Sequence, residues 1–102
     1  MIVIAATARI RPEARAKAER AARAMAAASR REAGCVAYRF GADLEDPAVL
    51  HVFEEWESQD ALARHFQTEH MRVFQAQLAE ILAEAPAIRR YVVESAGPLG
   101  RP

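Results

Sequence analysis

Apolar and polar positions alternate in single steps over residues 2–10. Ile2, Ile4, Ala6, Ala8 and Ile10 fall on one side and Val3, Ala5, Thr7 and Arg9 on the other, which is the period of a β-strand. After Pro12 the period lengthens. Residues 13–31 consist largely of Ala, Arg, Lys, Glu and Met, all strong helix formers, with proline where a first helical turn tolerates it. The apolar line Ala14, Ala18, Ala21, Met25, Ala28 steps by four, three, four and three, so the helix presents a small-residue face that can sit close on a sheet. Gly34 ends this helix. Cys35–Phe40 then reads as a second strand, with Val36, Tyr38 and Phe40 sharing a side. The turn-forming run Gly41-Ala42-Asp43-Leu44-Glu45-Asp46-Pro47 leads into a β-branched and aromatic third strand, Val49–Trp56, and the two strands are expected to form a hairpin.

Ser58 is the expected N-cap of a helix carrying Leu62, His65 and Phe66. A further helical run carries Met71, Phe74, Leu78, Ile81 and Ala85 and stops before Pro86. The sequence leaves open whether Thr68-Glu69 breaks this stretch into two helices. Alternation resumes over residues 87–95, a fourth strand. The order β-α-β-β-α-β is the split βαβ arrangement of the ferredoxin-like α+β class, an antiparallel sheet with both helices on one face. Residues 1–96 are read as one domain and 97–102 as a loose C-terminal tail. The other face of the sheet carries Phe53 and the small residues of strand one. It needs a cover, and a second copy applied by twofold symmetry supplies one.

Composition narrows the classes. Fourteen Lys and Arg balance fourteen Asp and Glu, so neither disorder nor a polyanionic partner such as nucleic acid is expected. Residues 1–33 are nevertheless basic and 34–85 acidic, which reads as two oppositely charged solvated faces. Cys35 is the single cysteine, so an internal disulfide is excluded. A reducing, cytoplasmic setting is expected, and no apolar run reaches the ~20 residues of a membrane span.

Four pieces of sequence then carry a resemblance: Glu32-Ala33-Gly34-Cys35-Val36-Ala37-Tyr38, Phe53-Glu54-Glu55-Trp56-Glu57-Ser58, Ala61-Leu62-Ala63-Arg64-His65-Phe66 and His70-Met71-Arg72-Val73-Phe74. In register they resemble the E-x-G-C-x-x-Y, E-x-W, A-L-x-x-H and H-x-x-x-F signatures of the antibiotic biosynthesis monooxygenase family. The resemblance implies a dimeric α+β barrel with a pocket between sheet and helices. It also implies oxidation of a small quinol or polyphenol by dioxygen, with no flavin, haem or metal cofactor. Such chemistry suits a pocket of this kind, because an electron-rich phenolate donates electrons to oxygen itself and the protein has only to bind, deprotonate and stabilise it. Two other functions stay open: binding or isomerising a small polar metabolite, as in relatives acting on a signalling-sugar derivative, and haem degradation. The haem-degrading relatives carry an Asn on the first strand where this chain has Ala6-Thr7.

The candidate catalytic pair is Glu54 with His65. A carboxylate beside an imidazole orients the ring and raises its basicity; the same pair also serves as a structural tie between helix and strand. Trp56, Tyr38, His70, Phe66 and Phe74 are the candidate substrate-binding residues. Trp56 reads equally as core and Tyr38 as an ordinary strand tyrosine. On one continuous helix His65 and His70 stand about 140° apart and share no metal; with a break near Thr68, His70 turns toward the pocket. No metal site is expected. No phosphate loop, Cys-x-x-Cys, His-Glu-x-x-His or G-x-S-x-G occurs.

Overall fold

The computed structural model describes residues 1–100; the last two residues of the expected tail lie outside them. The strands are β1 (Ile2–Arg9), β2 (Cys35–Ala42), β3 (Val49–Trp56) and β4 (Ala87–Val92), and the helices are α1 (Arg15–Ser29), α2 (Gln59–His65) and α3 (Glu69–Ile81). A 3-10 turn at Pro12–Ala14 leads into α1. The sheet is antiparallel in the order β2-β3-β1-β4, the ferredoxin-like topology expected from the sequence.

Register decides which residues meet the helices. Ile2, Ile4, Ala6 and Ala8 of β1 stand opposite Trp56, Glu54, Val52 and Leu50 of β3, and cross-strand partners share a side. All eight therefore point toward the helices. A bulge between Cys35 and Ala37 shifts β2 by one residue. Tyr38 and Phe40 consequently face the helices, but Val36, expected on their side, is exposed. The small-residue face of α1 packs as its period predicts, with Ala14, Ala18, Ala21 and Met25 buried.

Two buried clusters fill the layer. One gathers Ile2, Ile4, Met25, Tyr38, Trp56 and Leu62; the other gathers Ile10, Ala14, Ala18, Ala21 and Ile81. The break at Thr68-Glu69 that the sequence left open is present, and the two helical runs are separate helices. The Thr68 hydroxyl donates to the His65 carbonyl at 2.7 Å and accepts from the Met71 amide, so it closes the end of α2 and caps α3. The second helix also ends earlier than Ala85. Leu82 turns extended and bridges Ile10, and Arg11 N–H donates to Ile81 O, so the strand-like pairing takes over before Pro86 is reached. Every residue of β4 is exposed, because no helix covers that edge. Residues 97–100 carry no regular structure, and among the described residues no helix is long and apolar enough to cross a membrane.

Candidate functional site

One end of the sheet–helix layer is closed. Trp56 is fully buried and lies 4.6 Å, ring to ring, from His65, itself 1% exposed. Tyr38 packs against both at 6.3 and 5.6 Å. The Trp56 indole Nε1–H donates to Glu54 Oε1 at 2.9 Å, and the Tyr38 hydroxyl lies near this carboxylate. Burial holds the Glu54 carboxyl above the usual carboxylate range, although the Trp56 bond, the nearby His65 and Tyr38 oppose the shift. Burial, followed by the Glu54 charge, holds the Tyr38 phenol up as well.

The expected Glu54–His65 pair is not formed. His65 Nδ1 meets Glu32 Oε2 at 2.7 Å, and His70 Nε2 meets the same oxygen at 2.7 Å. Glu54 is engaged by Trp56, its neighbour two residues along the same strand face, so its carboxylate is turned along the strand. Glu32 is the residue that reasoning from the sequence passed over, although it opens the first of the four motifs. Its position follows from Gly34, at φ +87°, where an added Cβ would lie 2.5 Å from Ala61 Cβ. That close approach seats the α1–β2 turn on α2 and carries Glu32 beneath the two histidines. Because the helix breaks at Thr68, His65 and His70 do not stand on separate faces of one helix; their rings converge to 5.9 Å. The expectation of no shared metal position therefore fails in its geometric premise: Glu32, His65 and His70 each bring one ligand atom within 4.8 Å of the others.

The remaining candidates separate. Trp56 and Tyr38 are core residues, and Phe66 is half exposed beside His65. Phe74 alone among the expected substrate-binding residues lines open space. That space lies at the other end of the layer, where Ala8, Ile10, Ala18, Phe74, Leu78 and Ile81 surround an apolar slot of about 40 Å³. Ala22, Phe40 and Leu50 border both this slot and an outer groove of about 500 Å³, whose rim carries Arg15, Glu19, Arg23 and Arg30. Arg30 is fixed by its bond to the Tyr38 carbonyl at 3.0 Å, and Arg15 donates to the Pro47 carbonyl. Neither the slot nor the groove touches His65, Glu54 or Trp56. The rim arginines carried no motif and read in the sequence as a solvated basic face. Cys35 is half buried, and burial with the Glu32 charge raises its thiol, which keeps it a poor nucleophile.

Topology and motif placement together define a small ferredoxin-like α+β protein with a hollow between its sheet and helices. Residues 1–77 match the family model described as antibiotic biosynthesis monooxygenase, and the chain belongs to that family. Among solved structures it is similar to PA3566 from Pseudomonas aeruginosa, at 31% identity and TM-score 0.84 over 92% of this chain and 94% of that one. It is also similar to Rv0793 from Mycobacterium tuberculosis, at 26% identity and TM-score 0.88 over 95% and 98%. An uncharacterized Synechocystis protein, sll1783, is 28% identical over 92 residues. The match takes in 90% of this chain and spans 63% of the length of that curated relative.

Proposed function

We propose that this protein is a cofactor-independent monooxygenase of a small quinol or polyphenol held in the hollow under Phe40 and Leu50. The observation that carries the reading is the junction of an apolar slot with an arginine-rimmed groove, sharing Ala22, Phe40 and Leu50, in a chain of this family. The groove has room for an aromatic ring, with the slot taking no more than its apolar edge, and the rim cations favour its phenolate over its phenol. The phenolate then supplies every electron needed. A hydroquinone plus dioxygen gives a hydroxyquinone plus water: one oxygen atom enters at a ring carbon, and the other leaves as water with two hydrogens from the substrate. Phe74 is the aromatic wall of this site. His65 and Glu54 belong to the closed end of the layer and do not line this hollow.

The sheet surface away from the helices supports the dimeric part of the reading. Phe53 and Tyr91 are 41% and 43% exposed there. Val3 pairs with Tyr91 and Ala5 with Phe53, giving an apolar strip that a second copy covers. A charged rim also favours a second reading, the binding or isomerising of a small anionic metabolite. Oxygen consumption across a panel of hydroquinones and polyphenols, with chelator-treated protein, separates the two. Uptake that persists without added flavin or metal, and is lost in Ala22→Trp, supports the oxygenase. Uptake that requires flavin or iron, or that Ala22→Trp leaves unchanged, rejects it. Solution mass at micromolar concentration tests the dimer.

A further inference from the structure

The turn after α1, the end of α2 and the start of α3 deliver three metal-binding side chains to one point, and the oxygenase reading makes no use of them. Glu32 Oε2 takes His65 Nδ1 and His70 Nε2 at 2.7 Å each. Both ring N–H groups donate to a single carboxylate oxygen, and each nitrogen offers a lone pair to a cation once its proton leaves. The geometry points to a site for one divalent transition-metal ion of the zinc class, bound by Glu32, His65 and His70.

Two imidazoles and one carboxylate suit zinc, cobalt or nickel rather than calcium or magnesium, which prefer all-oxygen shells. Ligand atoms that lie within 4.8 Å of one another close on an ion at roughly 2.1 Å from each, while the two short N···O contacts open by roughly half an ångström. The side chains are graded in exposure, 1% for His65, 13% for Glu32 and 27% for His70. The ion therefore enters past His70, and a fourth position on that side is left to water. The scaffold is built before the ion arrives. Gly34 clamped on Ala61 fixes the height of Glu32, and the Thr68 hydroxyl fixes the bend that swings His70 round to His65. No spacing motif announces such a site, because its ligands are 33 and 5 residues apart in the chain.

The site stands apart from the hollow, so the two tests fail separately. Chelator-treated full-length protein is titrated with Co²⁺ as the probe, followed by Zn²⁺ in competition. The expected result is visible ligand-field absorption that saturates at one equivalent and is displaced by Zn²⁺, with a Zn²⁺-dependent rise in Tm of several degrees. His70→Ala removes a part-exposed ligand and is expected to weaken binding about tenfold or more. Glu32→Gln keeps the shape and is expected to do the same, while Cys35→Ser and His51→Ala leave affinity unchanged. Absence of saturable Co²⁺ binding overturns the site. So does an affinity that His70→Ala leaves intact, or one that follows Cys35 or His51. If Glu32→Gln does not fold, His70→Ala decides alone.

Discussion

The two ends of the layer between sheet and helices are built from the same strands and differ in what fills them. At the Trp56 end, large aromatic and titratable side chains pack against one another; at the Leu50 end, alanines, aliphatics and the rings of Phe40 and Phe74 leave a slot open to a cationic groove. The titratable motif residues Glu32, Glu54, His65 and His70 thus lie away from the hollow, and of the four motifs only Phe74 reaches it, beside alanines, aliphatics and the rim arginines. In this molecule the recognisable signature secures the architecture, and absence of bulk creates the site.

The largest expected break of this contrast is Gly34→Ala. The new methyl meets Ala61 Cβ at 2.5 Å on a backbone with φ +87°, and neither α2 nor the turn gives way cheaply. A cost of roughly 3 kcal/mol is expected in denaturant unfolding, combining left-handed strain with overpacking; a loss below 1 kcal/mol would show that the α2 contact is loose. Next comes Trp56→Phe, which leaves buried Glu54 Oε1 without the indole donor. We expect a loss of about 2 kcal/mol at neutral pH, shrinking in acid, where the protonated carboxyl needs the donor less. At the open end Leu78→Ala deletes comparable apolar bulk beside an existing void and is expected to cost about 1.5 kcal/mol or less. Equal losses at the two ends would erase the distinction between them.

Much of this arrangement is legible in the sequence, for reasons that separate its parts. Period two against period 3.6 is imposed by burial, so all four strands and the apolar face of α1 are read directly. Ser58 caps where its position demands. Thr68 leaves a real ambiguity, because a threonine is tolerated within a helix and only its bond to the His65 carbonyl makes the break. Leu82–Ala85 reads as helix since nothing local opposes it, and a pairing with Ile10, 72 residues away, decides otherwise. The site is less visible. Glu32 was available beside the positive-φ Gly34, yet its partners come from two other elements. The slot is invisible because Ala8, Ala18 and Ala22 are each ordinary helix or strand residues until packing leaves them facing one another.

The smallest effects carry the sharpest test, because the two ends hold carboxylates displaced in opposite directions. Burial raises Glu54 above its ordinary 4.5, so its folded form favours the proton. The contribution is fully present below the unfolded value and is lost as pH rises through the raised folded one. Glu54→Gln retains an acceptor for Trp56 without the charge. It is therefore expected to match or trail the parent near pH 4 and to exceed it by a few degrees in Tm near pH 8. At the hairpin tip of the open end, Asp43 Oδ1 pairs with His51 Nε2 at 2.8 Å, while its Oδ2 accepts from the Glu45 and Asp46 amides. These bonds, the His51 contact first, hold Asp43 below its ordinary 3.8. Its stabilisation is present above that value and is lost as pH falls through the lowered one. Solvent surrounds this carboxylate, so the effect is small and screened by salt. Asp43→Ala is expected to lower Tm slightly at neutral pH and to converge with the parent in strong acid. Thermal melts of both variants from acid to mild alkali then yield difference curves of opposite sign, Glu54→Gln climbing with pH and Asp43→Ala falling. If both run in one direction, the buried carboxylate does not feel its burial, and the solid end is wetter than its packing implies.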